Sequence, residues 1–287
     1  MASVSAFSPA HITGIFTIEG GSSNGAGFTL ADGMTTSVSS ATSRPKAKIS
    51  INGKTSSAPV SRAVISRFSR IVGIRKMPNL SISHKSHFPI GYGAGMSAAG
   101  ALSLSFSLNE LLATGLTRDG CARIGFDSEV ECGTGLSAIF AEEMGGFITR
   151  KNLGGEISRI KLSSHERNMP VVCAFLGPIK TSSIIRSAKW KERITRSGRK
   201  ALANFWQDKS LSNFVTQSRE FAISSGITSP RMKALLAHNP DSAMAMLGET
   251  VFEFTEEPKE CAKRFKACVP KATIIESRIS ETGAHLL

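Results

Sequence analysis

Residues 89–100 read Pro-Ile-Gly-Tyr-Gly-Ala-Gly-Met-Ser-Ala-Ala-Gly, and this stretch is the most informative part of the sequence for the fold. The alternating glycines Gly91, Gly93 and Gly95 allow a tight backbone path, because no Cβ stands in the way. The stretch matches neither GxxxxGK[ST] nor GxGxxG, since the next glycine after Gly95 is Gly100. It therefore predicts a glycine-rich loop outside the Walker and dinucleotide-binding classes.

The small residues that follow this loop predict a helix from Met96 to about Ala113. The free N–H groups and the positive dipole end of such a helix form a phosphate site. Ser97 adds a hydroxyl suited to phosphate or Mg²⁺. A second interpretation stays open on spacing alone: small residues also allow a helix to pack closely on a sheet without any ligand.

The sequence on either side of the loop predicts an α+β protein. Residues 3–53 alternate Ser, Thr and Gly with β-branched residues, which is typical of short antiparallel strands, with Gly-rich turns at 20–27 and near Gly33. Further helices are predicted over 58–73, 118–131 and 136–144, the second with Thr117 as its N-cap.

The second half of the chain is predicted to be mainly helical from Ser182 to Leu236, with breaks at Gly198, Lys209 and Gly226. Residues 241–250 then read as strand–turn–strand. We predict two compact halves, an N-terminal domain over 1–165 and a C-terminal domain over 166–287.

The charge of the chain favours anionic ligands. Lys and Arg number 35 against 22 Asp and Glu, a net charge of +13, and the cations concentrate at 44–85 and 180–200. Such runs form either a solvated basic face or a field that attracts polyanions. We expect no nucleic-acid partner, because aromatic stacking platforms are sparse among these residues.

The five cysteines form no CxxC and no ligand-like spacing with the six histidines, so a zinc site is not expected. Their odd number indicates a reducing compartment. The longest uncharged run, 86–109, contains Pro89 and four glycines, so we expect no transmembrane helix. No basic segment followed by an apolar core marks a signal peptide. The expected location is the cytoplasm.

Residues 89–99 resemble the PxxxGLGSSAA phosphate loop of the GHMP small-molecule kinases, and Ser8–Gly14 resembles the first motif of that family. Within the superfamily, further blocks resemble in order those of the archaeal pantoate kinases. These blocks are SAFSPAHITGIF (5–16), GSSNGAG (21–27), EVECGTGL (129–136), GPIKTSSII (177–185), MAMLGETVF (244–252) and SRISETGAHLL (277–287).

The resemblance implies a ribosomal-S5-like N-terminal domain followed by a ferredoxin-like C-terminal domain. It also implies that ATP and Mg²⁺ are required and that pantoate, a small hydroxy acid, is phosphorylated on its 4-hydroxyl in coenzyme A biosynthesis. A homodimer is the expectation of the family.

The resemblance carries over to individual residues. The nucleotide-binding set is Gly91, Gly93, Ala94, Gly95, Met96, Ser97 and Ala98. The Mg²⁺ ligands are Ser97 and Glu129, and the catalytic set is Ser97, Glu129 and His11. The acceptor-binding set is His11, Ser22, Asn24, Gly25 and Arg186. Gly248 resembles the third family motif, whose turn supports the phosphate loop.

The chain departs from the family pattern at the catalytic carboxylate. Many relatives place an Asp shortly after a Gly-rich helix start, where this chain has Ala138. Phosphoryl transfer can run mainly on positioning and charge neutralisation, so the reaction does not require that Asp. Glu131 and His11 are the substitutes that the sequence suggests.

Two alternatives to pantoate phosphorylation stay open on the sequence. One is the same chemistry on another small alcohol, such as homoserine or a mevalonate-pathway intermediate. The other is a non-catalytic, basic nucleic-acid-binding module on the S5-like fold, motivated by Ala138 and the net charge of +13.

Overall fold

The computed structural model describes residues 3–19, 23–40, 47–75, 77–135, 138–151 and 157–287. Helices and strands are both abundant, which confirms the α+β prediction. The strands are β1 (Ser3–Phe16), β2 (Gly25–Ser40), β3 (Ala47–Ile51), β4 (Lys54–Thr55), β5 (Leu80–Ser86), β6 (Phe147–Arg150), β7 (Ile157–Ile160), β8 (Pro170–Pro178), β9 (Ala243–Ala245), β10 (Gly248–Phe254), β11 (Thr273–Arg278) and β12 (His285–Leu286). The helices are α1 (Pro59–Ile71), α2 (Met96–Leu111), α3 (Arg118–Cys132), α4 (Ala138–Met144), α5 (Ser164–Asn168), α6 (Thr181–Ile185), α7 (Ala188–Gln207), α8 (Leu211–Ser225), α9 (Pro230–His238) and α10 (Pro258–Cys268).

The first sheet has the order β12-β1-β2-β5-β3-β4, with β6 paired to β2 and β7 paired to β6. Strands β1 and β2 form one long antiparallel pair, so the prediction of several short strands with a turn near Gly33 is wrong. Gly33 lies inside β2 opposite Pro9, where the register shifts. A Cβ at Gly33 would stand 2.1 Å from the Ser8 carbonyl oxygen. This glycine therefore serves a close strand contact rather than a turn.

Helix α2 is buried along nearly its whole length, at Met96 and at 98–108. Its alternating Ala, Gly and Ser residues let β1, β2 and α3 approach on different sides. The buried serine hydroxyls inside it have partners, Ser107 with the Thr36 carbonyl of β2 (3.1 Å) and two others within the helix. Ser103 donates to the Ala99 carbonyl (2.6 Å), and Ser105 donates to the Ala101 carbonyl (2.9 Å). The N-terminus of α2 is thus held in one place relative to the sheet.

The second sheet has the order β11-β8-β10-β9 and is antiparallel throughout. Helices α7 and α8 pack against β1 of the first sheet. The predicted helix break at Gly198 is wrong, because α7 runs through it. A Cβ there would stand 2.1 Å from the Phe16 carbonyl oxygen, so Gly198 allows α7 to cross the end of β1. The break at Gly226 is confirmed, since this residue ends α8 at φ 73°.

The two halves of the chain share a large core. Phe28 and Phe147 of the first sheet contact Phe214 of α8 edge to face, and Phe28 also contacts Phe252 of β10. The last residues return to the first sheet, where β12 pairs with β1. The division of the chain at residue 165 stays a prediction.

Within the part of the chain that the structure describes, no helix is long and apolar enough to cross a membrane.

Candidate active site

The glycine loop ends at the N-terminus of α2, and its backbone has the conformation that the sequence predicts. Gly91, Gly93 and Gly95 have φ values of 85°, 96° and 68°, all in the left-handed region that favours glycine. Gly95 is the N-cap of α2 and provides no side chain to cap it. The first N–H groups of α2 are therefore left for a ligand.

The turn between β9 and β10 supports this loop from the second sheet. A Cβ at Gly248 would stand 1.8 Å from the Tyr92 carbonyl oxygen, and Thr250 donates a hydrogen bond to that same oxygen (2.5 Å). Only a glycine at 248 allows the loop to lie this close. Gly248 therefore lies against the glycine loop, as its resemblance to the third family motif implies, and its part in phosphate binding stays a prediction.

A cavity opens beside the loop and brings most of the predicted residues together. Its walls include the predicted residues His11, Gly25, Gly91, Gly93, Gly95, Met96, Ser97, Ala98 and Glu129. Ala94 is buried and does not line the cavity, but its carbonyl accepts a hydrogen bond from the His11 N–H (3.2 Å).

Glu129 lies on α3 with its carboxyl turned into the cavity and is only 2% exposed. Thr134 donates a hydrogen bond to Glu129 Oε1 (3.0 Å), and the Ser97 hydroxyl also bonds the carboxyl. Burial raises the pKa of Glu129 to about 7, and the two hydroxyls act against that shift. A carboxyl and a hydroxyl at one point of the wall form a hard-oxygen pair of the kind that Mg²⁺ takes from proteins.

His11 lies on β1 and forms part of the cavity wall while being 6% exposed. Its Nδ1 is 3.2 Å from the Thr13 hydroxyl. Burial lowers the pKa of His11 to about 4, so its imidazole is neutral at pH 7. It can accept or donate a hydrogen bond to a ligand, but it supplies no positive charge there.

The predicted acceptor residues are only partly brought to the cavity. Gly25 lines it, as does Ser23, whereas Ser22 lies outside the described residues. Asn24 is not among the lining residues, and its backbone pairs with Thr17. Arg186 is exposed and lies over Gly133 at the end of α3, away from the cavity wall.

Sequence reasoning missed Arg150, a cavity residue at the end of β6. Its Nε is buried without a hydrogen-bond partner among the described residues, and its guanidinium lies 5.5 Å from the centre of the Phe140 ring. Burial first, and then the charge of Arg123, lower the pKa of Arg150. Because this cation has no hydrogen-bond or ion-pair partner among the described residues, it can pair with an anionic ligand. The available signal was an arginine closing a strand next to the Gly-rich segment 152–155.

Sequence reasoning also missed Glu142 on α4, whose side chain is completely buried. Ala138 and Ala141 of the same helix line the cavity. The chain has Ala138 where many relatives carry the catalytic Asp. One helical turn later, the same helix carries a carboxyl, that of Glu142, which sequence reasoning did not single out.

Comparisons with known proteins identify a family model and relatives that the chain resembles. Residues 60–146 match the family model described as the GHMP kinases N terminal domain. The chain is 31% identical over 255 residues to a pantoate kinase from Methanocaldococcus jannaschii, covering 86% of this chain and 90% of that protein. It is 35% identical over 193 residues to a pantoate kinase from Methanospirillum hungatei, covering 65% and 63%.

A solved structure described as a phosphotransferase related to the CoA biosynthesis pathway superposes with a TM-score of 0.84. It is 23% identical and covers 100% of this chain and 99% of that chain. This likeness confirms the predicted fold.

Proposed function

Since the chain belongs to the pantoate kinase family of the GHMP kinases, we propose that it transfers the terminal phosphoryl group of ATP to the 4-hydroxyl of pantoate. The observation that carries this proposal is one cavity that joins two anion-binding features. The N-terminus of α2 serves the nucleotide phosphates, and the Arg150 guanidinium serves the acceptor carboxylate. We place the enzyme in the cytoplasm.

The nucleotide is held mainly by backbone. The left-handed glycines at 91, 93 and 95 present N–H groups without side chains between them and the phosphates. Met96, Ser97 and Ala98 form the first turn of α2, where the dipole favours negative charge. Ala94 supports the loop through its bond to His11 rather than by contact with the ligand.

Ser97 and Glu129 would hold Mg²⁺, since their hydroxyl and carboxyl oxygens meet at the cavity wall. When bound, Mg²⁺ neutralises charge on the phosphates during transfer. In addition, the Ser97 hydroxyl keeps the Glu129 carboxyl turned toward the loop. That contact lets both residues act on the same end of the nucleotide.

The acceptor fits the remaining part of the cavity. Pantoate carries a carboxylate, two hydroxyls and two methyl groups, and the wall offers matching chemistry. Arg150 provides a cation, the neutral His11 and Ser23 provide hydrogen-bonding groups, and Phe16, Ile148 and Met246 provide apolar contacts. Gly25 and Gly27 line the same pocket, and Gly27 leaves room beside His11, since a Cβ there would stand 2.7 Å from His11 Nε2. Asn24 and Arg186 do not line this pocket, and we assign them supporting roles outside it, Asn24 next to Gly25 and Arg186 over Gly133.

The test is turnover of purified protein with ATP and a panel of acceptors. We expect ADP release with pantoate, and a new phosphomonoester signal by ³¹P NMR. ADP release with homoserine or mevalonate and none with pantoate would overturn the choice of acceptor. Absence of ATP binding together with salt-sensitive RNA binding would overturn the kinase itself.

A matched pair of variants tests the acceptor site. Arg150→Met should raise the KM for pantoate about 10- to 100-fold, as expected for loss of a hydrogen-bonded charge pair, and leave the KM for ATP unchanged. Arg196→Met is the control, because Arg196 is exposed and stands outside the cavity wall. Equal effects of the two variants would contradict the assignment.

A further inference from the structure

The side chain of Glu142 is the most unusual polar group of the described chain. It is 0% exposed, and neither Oε1 nor Oε2 has a hydrogen-bond partner among the described residues. A buried carboxyl without a partner lowers the stability of the protein, because it loses its hydration and gains nothing in return. Such a group indicates that a partner arrives from outside.

The position of this carboxyl shows where the partner would be. A Cβ built on Gly95 would stand 2.4 Å from Glu142 Oε1. The same point is 3.2 Å from the His11 backbone N and O. Glu142 Oε1 therefore lies against Gly95, the N-cap of α2, and close to the backbone of His11.

The direction of the side chain follows from the helix that carries it. Side chains on an α-helix lean toward its N-terminus, so Glu142 extends over the preceding turn, which begins at Ala138. Ala138 is small and lines the cavity, whereas Glu142 is not among the lining residues and lies behind the N-cap residue Gly95. The carboxyl thus lies between α4, β1 and the start of α2.

The charge state of the group fits an anionic partner. Burial first, and then the negative charge of Glu129, raise the pKa of Glu142 well above its ordinary value. This shift favours the neutral carboxylic acid, which carries one O–H donor. An ionised carboxylate at the same place would repel a phosphate and compete for the N–H groups of α2. A neutral acid does neither, and it adds a donor to them.

We propose that Glu142 donates a hydrogen bond to a phosphoryl oxygen of the nucleotide bound at the N-terminus of α2. The inference rests on the nucleotide part of the proposed function and does not depend on the acceptor. It adds a side-chain donor to a phosphate site otherwise built from backbone. It also supplies a partner for a carboxyl that has none among the described residues.

Two substitutions separate a donor from any other role. Glu142→Met keeps the length of the side chain but removes the donor, and Glu142→Gln keeps a donor in the form of an amide. Isothermal titration with a non-hydrolysable ATP analogue and with adenosine gives the affinities without turnover. Thermal unfolding of the empty protein reports the stability.

We expect Glu142→Met to weaken binding of the ATP analogue about 10- to 100-fold, as for a hydrogen bond to a charged group, and to leave adenosine binding unchanged. It should also raise the melting temperature of the empty protein by a few degrees, because the unpartnered carboxyl is gone. Glu142→Gln should bind the ATP analogue within about threefold of the wild type. Glu142→Leu repeats the test if the Met variant does not fold.

Glu143→Gln is the matched control, since this neighbouring carboxylate pairs with Arg118 (2.9 Å) outside the cavity. It should leave both ligands unaffected. The proposal is overturned if Glu142→Met binds the ATP analogue as the wild type does, or if the Gln and Met variants weaken it equally. A lower melting temperature with equal loss of adenosine and ATP analogue would assign Glu142 a structural role instead. If the wild type binds ATP but does not phosphorylate pantoate, only the proposed function fails.

Discussion

The two buried histidines of the first sheet are similarly buried and differ in how many of their ring nitrogens have a hydrogen-bond partner. His11 is 6% exposed and His84 is 2% exposed, and burial lowers the pKa of each to about 4. Both ring nitrogens of His84 have partners, Nδ1 with the Thr36 hydroxyl (2.8 Å) and Nε2 with the Ser61 hydroxyl (3.0 Å). His11 has one ring contact, to Thr13, and faces the cavity. Burial and a shifted pKa therefore do not distinguish the histidine at the cavity from the fully hydrogen-bonded one.

The same contrast holds for the regions around them. Around His84 the hydrogen bonds continue from Thr36 to Ser103 (2.6 Å), so this cluster is closed. Around His11, Glu142 and the Nε of Arg150 have no partner among the described residues. Unpartnered buried polar atoms also occur elsewhere among the described residues, at Ser218 and Thr228 for example, so it is the position of these two groups beside the glycine loop and the cavity that points to a ligand.

The largest expected effect comes from Gly95→Val, which should abolish ATP binding. The residue has φ 68°, and a Cβ there would meet Glu142 Oε1 at 2.4 Å. We expect at least a 100-fold loss of ATP affinity, because both the strain and the clash act on the phosphate site. Titration with an ATP analogue measures the loss, and circular dichroism checks that the variant folds. Undiminished affinity in a folded variant would mean that phosphate does not bind at this loop.

Ser97→Ala should act on the rate rather than on binding. It removes one oxygen near Glu129 but leaves the N–H groups of α2 in place. We expect kcat to fall about 10²- to 10³-fold, an effect of about 2.7–4 kcal/mol, with the affinity for ATP within about threefold. Steady-state kinetics and titration give the two values separately. An unchanged kcat would remove Ser97 from the catalytic set.

His84→Leu should lower stability and leave the kinetics alone, which is the reverse of Ser97→Ala. The substitution leaves the buried hydroxyls of Thr36 and Ser61 with one partner fewer. We expect a loss of about 2–4 kcal/mol in the free energy of unfolding. Urea unfolding measures it, and KM for both substrates serves as the control. A change in KM at full folding would show that the His84 cluster reaches the active site.

The smallest effect is the pH dependence that His84 contributes. The folded-state pKa of about 4 lies below the unfolded value of 6.5, so the unfolded histidine takes up a proton first as the pH falls. The stabilising effect of the neutral ring is complete above pH 6.5 and is lost between pH 6.5 and 4. Comparing the wild type with His84→Leu cancels the opposite trend from Glu129, whose folded pKa is raised.

The stability gap between the two proteins should therefore narrow by about 2 kcal/mol from pH 7 to pH 5. Urea unfolding at the two pH values measures it. A gap that stays constant would mean that the ring is protonated in the folded state as readily as in the unfolded one.

The predictions made from glycine positions are confirmed where the glycine itself adopts a positive φ at a helix end. They are wrong where the glycine makes room for another segment of the chain. Gly95 and Gly226 have the positive φ values that end or begin a helix, as predicted. Gly33 and Gly198 lie inside a strand and a helix, because each makes room for another backbone. Sequence near a residue reports its preferred φ and ψ, and it does not report which distant segment passes by.

The sequence by itself determined the elements whose chemistry is local. The alternating glycines, the helix that follows them and the Ser97 hydroxyl are contiguous along the chain, and the ordered blocks identified the family and the place of Glu129. Tertiary structure decided which groups share the cavity. Arg150 reaches it only because β6 pairs with β2, and Glu142 lies behind its glycine loop because α4 packs against β1, while Arg186 lies at the end of α3. The first two placements depend on contacts between residues more than a hundred positions apart, and no local pattern encodes any of the three.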